Sequence, residues 1–382
     1  MSRARHAEIV GGGLAGLAMA TALGQRGWSV RVHERASELR MFGAGIWIWE
    51  NGLKSLGILG VADQAMARAK AISAFDIRDQ DGQAMMQRPF ADGDRMLLPP
   101  RADLYDALIA GATKYGADIV TDSPVRSATP EGEVVLEDGT TLRADLVVAA
   151  DGAYSRLRES LFLTKKVDYL WEGYIRLLIP RLPEYSDSVI SEYWNGSRRL
   201  LYCPCTDEFN YICLACSVDD VRARRVPVDK AAWLESFPQH AAIIERFPEE
   251  ARWDRAVNVT CRRWSSGRGV VIGDAAHGQP PNLGQAANMT FTNVVSLAAA
   301  VDSATDIPSA LRSWEATERP LSDHVQRWSQ LYGKIVGHWP ENLSPSTSNT
   351  DSNFAPSDPE PRCGSTAYKP WARCGVPALR KG

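Results

Sequence analysis

Three short runs in this 382-residue chain carry residue types able to handle a phosphorylated ligand. The first is Gly11-Gly12-Gly13-Leu14-Ala15-Gly16, fed by Ala7-Glu8-Ile9-Val10 and answered downstream by Glu34, with Arg35 beside it. Glycines at Gly11, Gly13 and Gly16 permit a tight turn, close approach of a pyrophosphate, and packing of the next helix on the sheet. That helix begins at Leu14 and Ala15, and its positive end faces the phosphates. Glu34 closes the second strand, where its carboxylate can accept hydrogen bonds from both ribose hydroxyls. The same carboxylate would repel a 2′-phosphate, so the pattern predicts a bound adenine dinucleotide and disfavours NADP in this turn. The other two runs are Asp151-Gly152 and Gly273-Asp274, each closing an apolar stretch. An acid at the carboxyl edge of a buried strand stands where open α/β sheets bind ligands.

Cys203, Cys205, Cys213 and Cys216 invite comparison with a zinc site. Residues 200–205 and 211–216, however, read as two strands joined by the polar turn Thr206-Asp207-Glu208. Residues three apart on a strand face opposite sides, so Cys213 and Cys216 cannot share an ion, and no metal site is expected. Seven cysteines, an odd number, argue for reduced thiols.

The elements that must position these residues alternate between strand and helix. The class expected is α/β: a Rossmann-like dinucleotide-binding domain, a second sheet-based substrate domain, and C-terminal helices. Residues 1–71, 97–167 and 262–307 make up the first domain in discontinuous pieces, and 72–96 with 168–261 the second. A C-terminal helix over 308–340 and a largely irregular tail over 341–382 follow. Helix is expected from the segment after Gly52 to about Ala69, from Arg101 after Pro99-Pro100, from about Gly284 to Asp302, and from Ser309 to about Val336. Residues 133–142 read as a hairpin turning at Asp138-Gly139.

A formal net charge of −3 and a 45% hydrophobic composition describe an ordinary globular protein, with no call for nucleic acid or membrane as partner. The run from Met1 to His6 leads straight into the first strand, and no apolar stretch nears the length of a membrane span, so a cytoplasmic monomer or homodimer is expected.

The ordered set Gly11-x-Gly13-x-x-Gly16, then Asp151-Gly152-Ala153-Tyr154-Ser155-Arg156-Leu157-Arg158, then Gly273-Asp274-Ala275-Ala276-His277 resembles the class A flavoprotein aromatic monooxygenases, the para-hydroxybenzoate hydroxylase group. The finer text is similar to their hydroxypyridine-carboxylate oxygenase branch. The stretches that carry this likeness include Glu38-Leu39-Arg40-x-Phe42-Gly43-Ala44-Gly45-Ile46 and Leu201-Tyr202-x-Pro204-Cys205. The resemblance implies FAD as cofactor, NADH or NADPH as transient reductant, and O2 with a small aromatic molecule as substrates.

It also implies roles. Asp274, after Gly273, would bond the ribityl chain, and the loop carrying Pro281, Gly284, Ala286, Ala287 and Asn288 would lie against the isoalloxazine. Gly45 and Ile46 would approach the flavin, and Arg101 and Arg40 its phosphate side. Asp151-Gly152 would serve FAD and reductant with Arg158 closing the motif, or cap the next helix, or both. Arg199 and Tyr211 align with substrate-contacting residues, the first facing a carboxylate or oxyanion and the second a ring substituent. Arg176 and Arg181 are further candidates of undecided direction, and His277 reads as a structural hydrogen-bonder. The chain departs from the family's pattern at Ala286, where glycine is usual, and at Asn293, where an acid is common.

No second G-x-G-x-x-G follows a strand, which argues against a dedicated nicotinamide domain. The activity expected is oxygenation of a hydroxypyridine carboxylate through a flavin C4a-hydroperoxide, with or without ring opening. The alternatives are plain hydroxylation of a phenolic acid, an FAD oxidase or dehydrogenase, and a non-catalytic flavin-binding redox sensor.

Overall fold

The computed structural model describes residues 4–39, 44–182, 185 and 188–337; the expectations for Arg40 and for the tail beyond 337 fall outside them. A first sheet runs in the order Ser265–Ser266, Gly269–Val271, Leu146–Ala149, His6–Val10, Ser29–His33, Asp118–Val120. All but its first pair are parallel. A parallel strand covered on both faces has no solvent side, so Leu146, Val147, Val148 and Ala149 are apolar without alternation and wholly buried. The helix Leu14–Gly24 is buried from Gly16 to Leu23. It lies so near the first turn that a Cβ on Gly16 would come 1.9 Å from the Gly11 carbonyl oxygen.

Two boundaries differ from the sequence reading, both through glycine. The helix expected to reach about Ala69 is two, Glu50–Ile58 and Ala62–Met66, separated where Gly60 adopts φ +71°. The apolar strand before Asp274 ends at Val271, and Gly273, at φ +58°, turns the chain into the short helix Asp274–His277.

A second, seven-stranded sheet runs Trp253–Cys261, Thr164–Pro180, Phe209–Ser217, Arg198–Pro204, Val189–Asn195, Ala74–Arg78, Ala84–Pro89. Its register decides what each face carries. Tyr174 pairs with Ala215 and Arg176 with Cys213, Arg199 with Ala215 and Leu201 with Cys213, and Glu192 with Leu201. Since side chains alternate, these residues share one face. Ile175, Leu177, Leu200, Ile212, Leu214 and Cys216 occupy the other, in a core with Trp233, Phe237 and Ile243. Cys213 and Cys216 therefore diverge, and Arg176 falls on the face of Arg199.

Helices Ala286–Ser303 and Ile307–Val336 close the described chain. No helix of the described residues is long and apolar enough to cross a membrane.

Candidate active site

The carboxyl edge of the first sheet faces the polar side of the second across a cleft of about 340 Å³. Gly13, Leu14, Ala15, Gly152, Gly273 and Asp274 line one wall, and Tyr174, Arg176, Glu192, Arg199 and Tyr211 the opposite one. Gly45, Ile46, Trp47 and Arg101 close one end, while Pro281, Asn282, Gly284, Ala286 and Ala287 form a loop across it. The three sequence motifs thus converge on one space. Arg158 ties two of them together: fully buried, it donates to the Ala153 and Ala275 carbonyls at 2.8 and 2.9 Å.

Several expected contacts hold the cleft rather than face it. Gly11, at φ +109°, lies against Ala150, and Gly16 against Gly11. The Glu34 carboxylate accepts from the Gly12 and Ala36 amides, each at 2.9 Å, fixing the turn, and Arg35 beside it is exposed. Asp151 Oδ2 accepts from the Arg156 amide at 2.9 Å, and Ser155 caps the same helix, so the capping role is present. Asn288, expected against the cofactor, is wholly buried and faces inward. Its side chain accepts from the Trp49 amide at 2.9 Å and donates to the Trp47 and Gly284 carbonyls at 3.0 and 2.7 Å. That amide can satisfy three backbone groups of two loops, which a flavin contact would leave bare.

The cleft suits a dinucleotide with both donors and acceptors. Arg101 Nε and Asp151 Oδ1 are buried without a partner among the described residues, one lacking an acceptor and the other a donor. Burial, then the nearby Arg176 charge, push the Arg101 guanidinium below its ordinary pKa, a cost that a phosphate would relieve. A Cβ on Gly13 would meet nothing within 4 Å, so the turn is open to a ligand's close approach. These features fit FAD. Gly284, at φ +60°, lies against Trp47, and Ala286 and Ala287, at the start of the helix that follows, line the cleft.

On the sheet wall Arg199 lines the cleft, with its guanidinium already engaged within the protein. Nη2 donates to Glu172 Oε2 and to Asn282 Oδ1, both at 2.9 Å, and Nη1 to Glu192 Oε1 at 3.4 Å. Glu172 and Glu192 are 2% and 6% exposed, so the guanidinium is neutralised inside the protein. Burial alone would lower its pKa, but Glu172, Tyr174 and Glu192 hold it raised. Asn282 Nδ2 also donates to Glu172 Oε1 at 3.0 Å and to the Ser329 carbonyl at 2.9 Å, coupling sheet, loop and last helix. Tyr211 lines the cleft, and its ring lies 3.1 Å from where a Gly45 Cβ would be. Burial pushes its phenol well up.

Arg176 lies on the same wall. It faces the cleft, 5.8 Å from the Tyr174 ring centre, and its guanidinium makes no ion pair with a described residue. Arg181 belongs instead to the far turn, 3.9 Å from Asp207. His277 is buried against Trp264; Trp49 packs on Phe75 and Phe90, whereas Trp47 reaches the cleft. Glu172, Glu192 and Tyr174 were missed by sequence reasoning, and Asn282 was read only as part of the flavin loop. The signal available was the alternation of Glu172, Tyr174 and Arg176 with apolar or small neighbours along one strand.

Comparison with known proteins agrees with this geometry. The family described as FAD binding domain matches residues 5–329. The chain is 37% identical over 346 residues to the 2-heptyl-3-hydroxy-4(1H)-quinolone synthase of Mycobacteroides abscessus, covering 88% of this chain and 92% of that one. It is 29% identical over 360 residues to the 6-hydroxynicotinate 3-monooxygenase of Pseudomonas fluorescens, covering 86% and 91%. The tetrameric form of 2-methyl-3-hydroxypyridine-5-carboxylic acid oxygenase superposes with a TM-score of 0.84 at 33% identity, over 89% of this chain and 94% of that one.

Proposed function

Because the chain belongs to the FAD-dependent monooxygenases that carry this FAD binding domain, we propose that it hydroxylates a neutral N-heteroaromatic ring, an alkyl-substituted 4-quinolone, with O2 and NAD(P)H. The observation that carries the reading is the neutralised Arg199. With Glu172 and Glu192 on its guanidinium, Arg199 brings no net positive charge to that stretch of wall, and Glu192 offers a hydrogen-bond acceptor there. Leu201, Ala215 and Trp47 supply apolar surface beside it. Such a wall suits a ring N–H better than a carboxylate, because a buried carboxylate needs a cation of its own. The likeness to a quinolone synthase supports the same class.

Bound FAD supplies the electron transfer and oxygen activation. The chain's own residues bind the dinucleotide along Gly13, Arg101, Gly152 and Asp274, and hold the ring substrate between the loop at Pro281 and the sheet. They also exclude water with Tyr174, Leu201 and Tyr211.

A second reading, oxygenation of a hydroxypyridine carboxylate, is favoured by Arg176, whose guanidinium could receive that carboxylate. The deciding experiment measures NAD(P)H oxidation stimulated by 2-alkyl-4(1H)-quinolones and by hydroxypyridine carboxylates, with product mass. Expected is stimulation by the quinolones and a product gaining one oxygen; stimulation by the acids alone transfers the assignment to the second reading. A protein that cannot be reconstituted with FAD would defeat both.

A further inference from the structure

We propose that Asn282 is a positioning residue that clamps the loop over the cleft, and that the yield of oxygenated ring per NAD(P)H depends on this clamp. Helix Ile307–Val336 supports it from outside the cleft, through the bare backbone at Gly333. The inference rests on oxygenation in this cleft and not on the choice of ring.

Asn282 stands in the short turn Pro281–Leu283, two residues before Gly284, and lines the cleft. Every hydrogen-bonding position of its amide is taken, and all four partners belong to other elements. Oδ1 accepts from Arg199 Nη2 at 2.9 Å and from the Tyr174 hydroxyl at 3.1 Å, while Nδ2 donates to Glu172 Oε1 at 3.0 Å and to the Ser329 carbonyl at 2.9 Å. Ser329 adds a second tie, its hydroxyl donating to the Pro280 carbonyl. A neutral amide suits this seat because its acceptor meets the cation of a buried ion pair and its donor meets the anion. An aspartate would set a carboxylate against Glu172 and leave the Ser329 carbonyl without its donor.

Gly333 lets the helix come this close. A Cβ on it would lie 2.3 Å from Glu172 Oε1 and 2.7 Å from Asn282 Nδ2, the two atoms that bond each other. Gly333 does not line the cleft, so a methyl there would part the clamp while leaving the residues that face a ligand chemically unaltered. Alanine is also the better helix former, so the helix itself loses nothing by the change.

Loop position matters because Pro281, Gly284, Ala286 and Ala287 border the cleft. A loosened loop admits water and widens the range of positions a ring can take. NAD(P)H, O2 and a proton then give NAD(P)+ and H2O2, in place of NAD(P)+, water and a ring that has gained one oxygen.

The test compares Asn282→Ala, Gly333→Ala and Ser322→Ala with the unaltered protein, all loaded with FAD. The first readout is amide hydrogen exchange over residues 279–287 by mass spectrometry. The second is H2O2 formed per NAD(P)H oxidised with 2-heptyl-4(1H)-quinolone. Asn282→Ala and Gly333→Ala should both speed loop exchange about tenfold or more and raise the H2O2 share about threefold or more, with exchange in the sheet strands unchanged. Ser322 is buried on the same helix but bonded to Asn293, and its change to alanine should leave both readouts as they were. Loop exchange that stays slow in Asn282→Ala overturns the proposal, and so does a Gly333→Ala protein that keeps both values; the latter variant decides alone if Asn282→Ala fails to fold. Faster exchange with an unchanged H2O2 share overturns the link to oxygenation. Equal loosening in Ser322→Ala would trace the effect to the helix as a whole and overturn the clamp. If the unaltered protein does not oxygenate the quinolone, the substrate reading fails, and loop exchange still decides the clamp.

Discussion

Arg101 and Arg199 show how differently two buried arginines can be placed. Arg101 heads a helix after Pro99-Pro100 and has a buried Nε with no partner among the described residues, so its charge is open to a ligand. Replacing it, Arg101→Gln, should weaken FAD binding about tenfold to a hundredfold, the worth of a charge-assisted hydrogen bond. Reconstitution of the apoprotein followed by flavin fluorescence measures this, and unchanged affinity would show that Arg101 does not touch the cofactor. Arg199 already has its acceptors, whereas Arg176 lines the same wall and makes no ion pair with a described residue. Arg176→Gln should leave FAD affinity unchanged and raise the substrate KM about tenfold or more. A KM that stays put while FAD is lost would place Arg176 on the cofactor side. The sequence made Arg199 visible through its likeness to the oxygenases. What it could not show is that Glu172 and Glu192 reach it, since 27 and 7 positions of separation close only through strand register.

At the scale of elements, the cleft depends on backbone approaches that only certain residues allow. The spacing of Gly11, Gly13 and Gly16 told of a turn under a helix, and the helix does lie on the turn. A methyl at Gly16 would overlap the Gly11 carbonyl, so Gly16→Ala should lower stability by about 2 kcal/mol or more through overpacking. Chemical denaturation of the apoprotein checks it. Asn288 was legible as a residue of the flavin loop but not as the clamp between that loop and Trp47 and Trp49, because its partners lie some 240 positions away in sequence. Asn288→Ala would strand one buried donor and two acceptors, at about 1–3 kcal/mol for each left unsatisfied. A fall in melting temperature with loss of bound FAD is expected; retention of both would mean that water replaces the amide. The two helices separated at Gly60 follow the same lesson in reverse. The apolar pattern continued past that glycine, and only its positive φ ended the first helix.

For the molecule as a whole, the seven-stranded sheet has one face for chemistry and one for stability, and the two can be perturbed separately. On the stabilising face His240 is 5% exposed, both ring nitrogens lack partners among the described residues, and its ring lies 4.0 Å from that of Tyr193 and 5.8 Å from that of Tyr202. Burial pushes its pKa down from 6.5 to about 4. The unfolded chain therefore binds a proton between those values that the folded chain refuses, so stability is complete above about pH 6.5 and declines as pH falls toward about 4. Phenylalanine keeps the ring contacts and removes the titration. In His240→Phe the melting temperature should lose the part of its decline that falls in this window, while FAD binding and turnover at neutral pH stay as they were, because the cleft lies on the opposite face. Melting curves at half-unit pH steps decide the matter. An identical decline in both proteins would assign the acid sensitivity to carboxylates such as Glu8, whose burial opposes ionisation but whose bonds to His33 and His6 keep it charged and its pKa lowered.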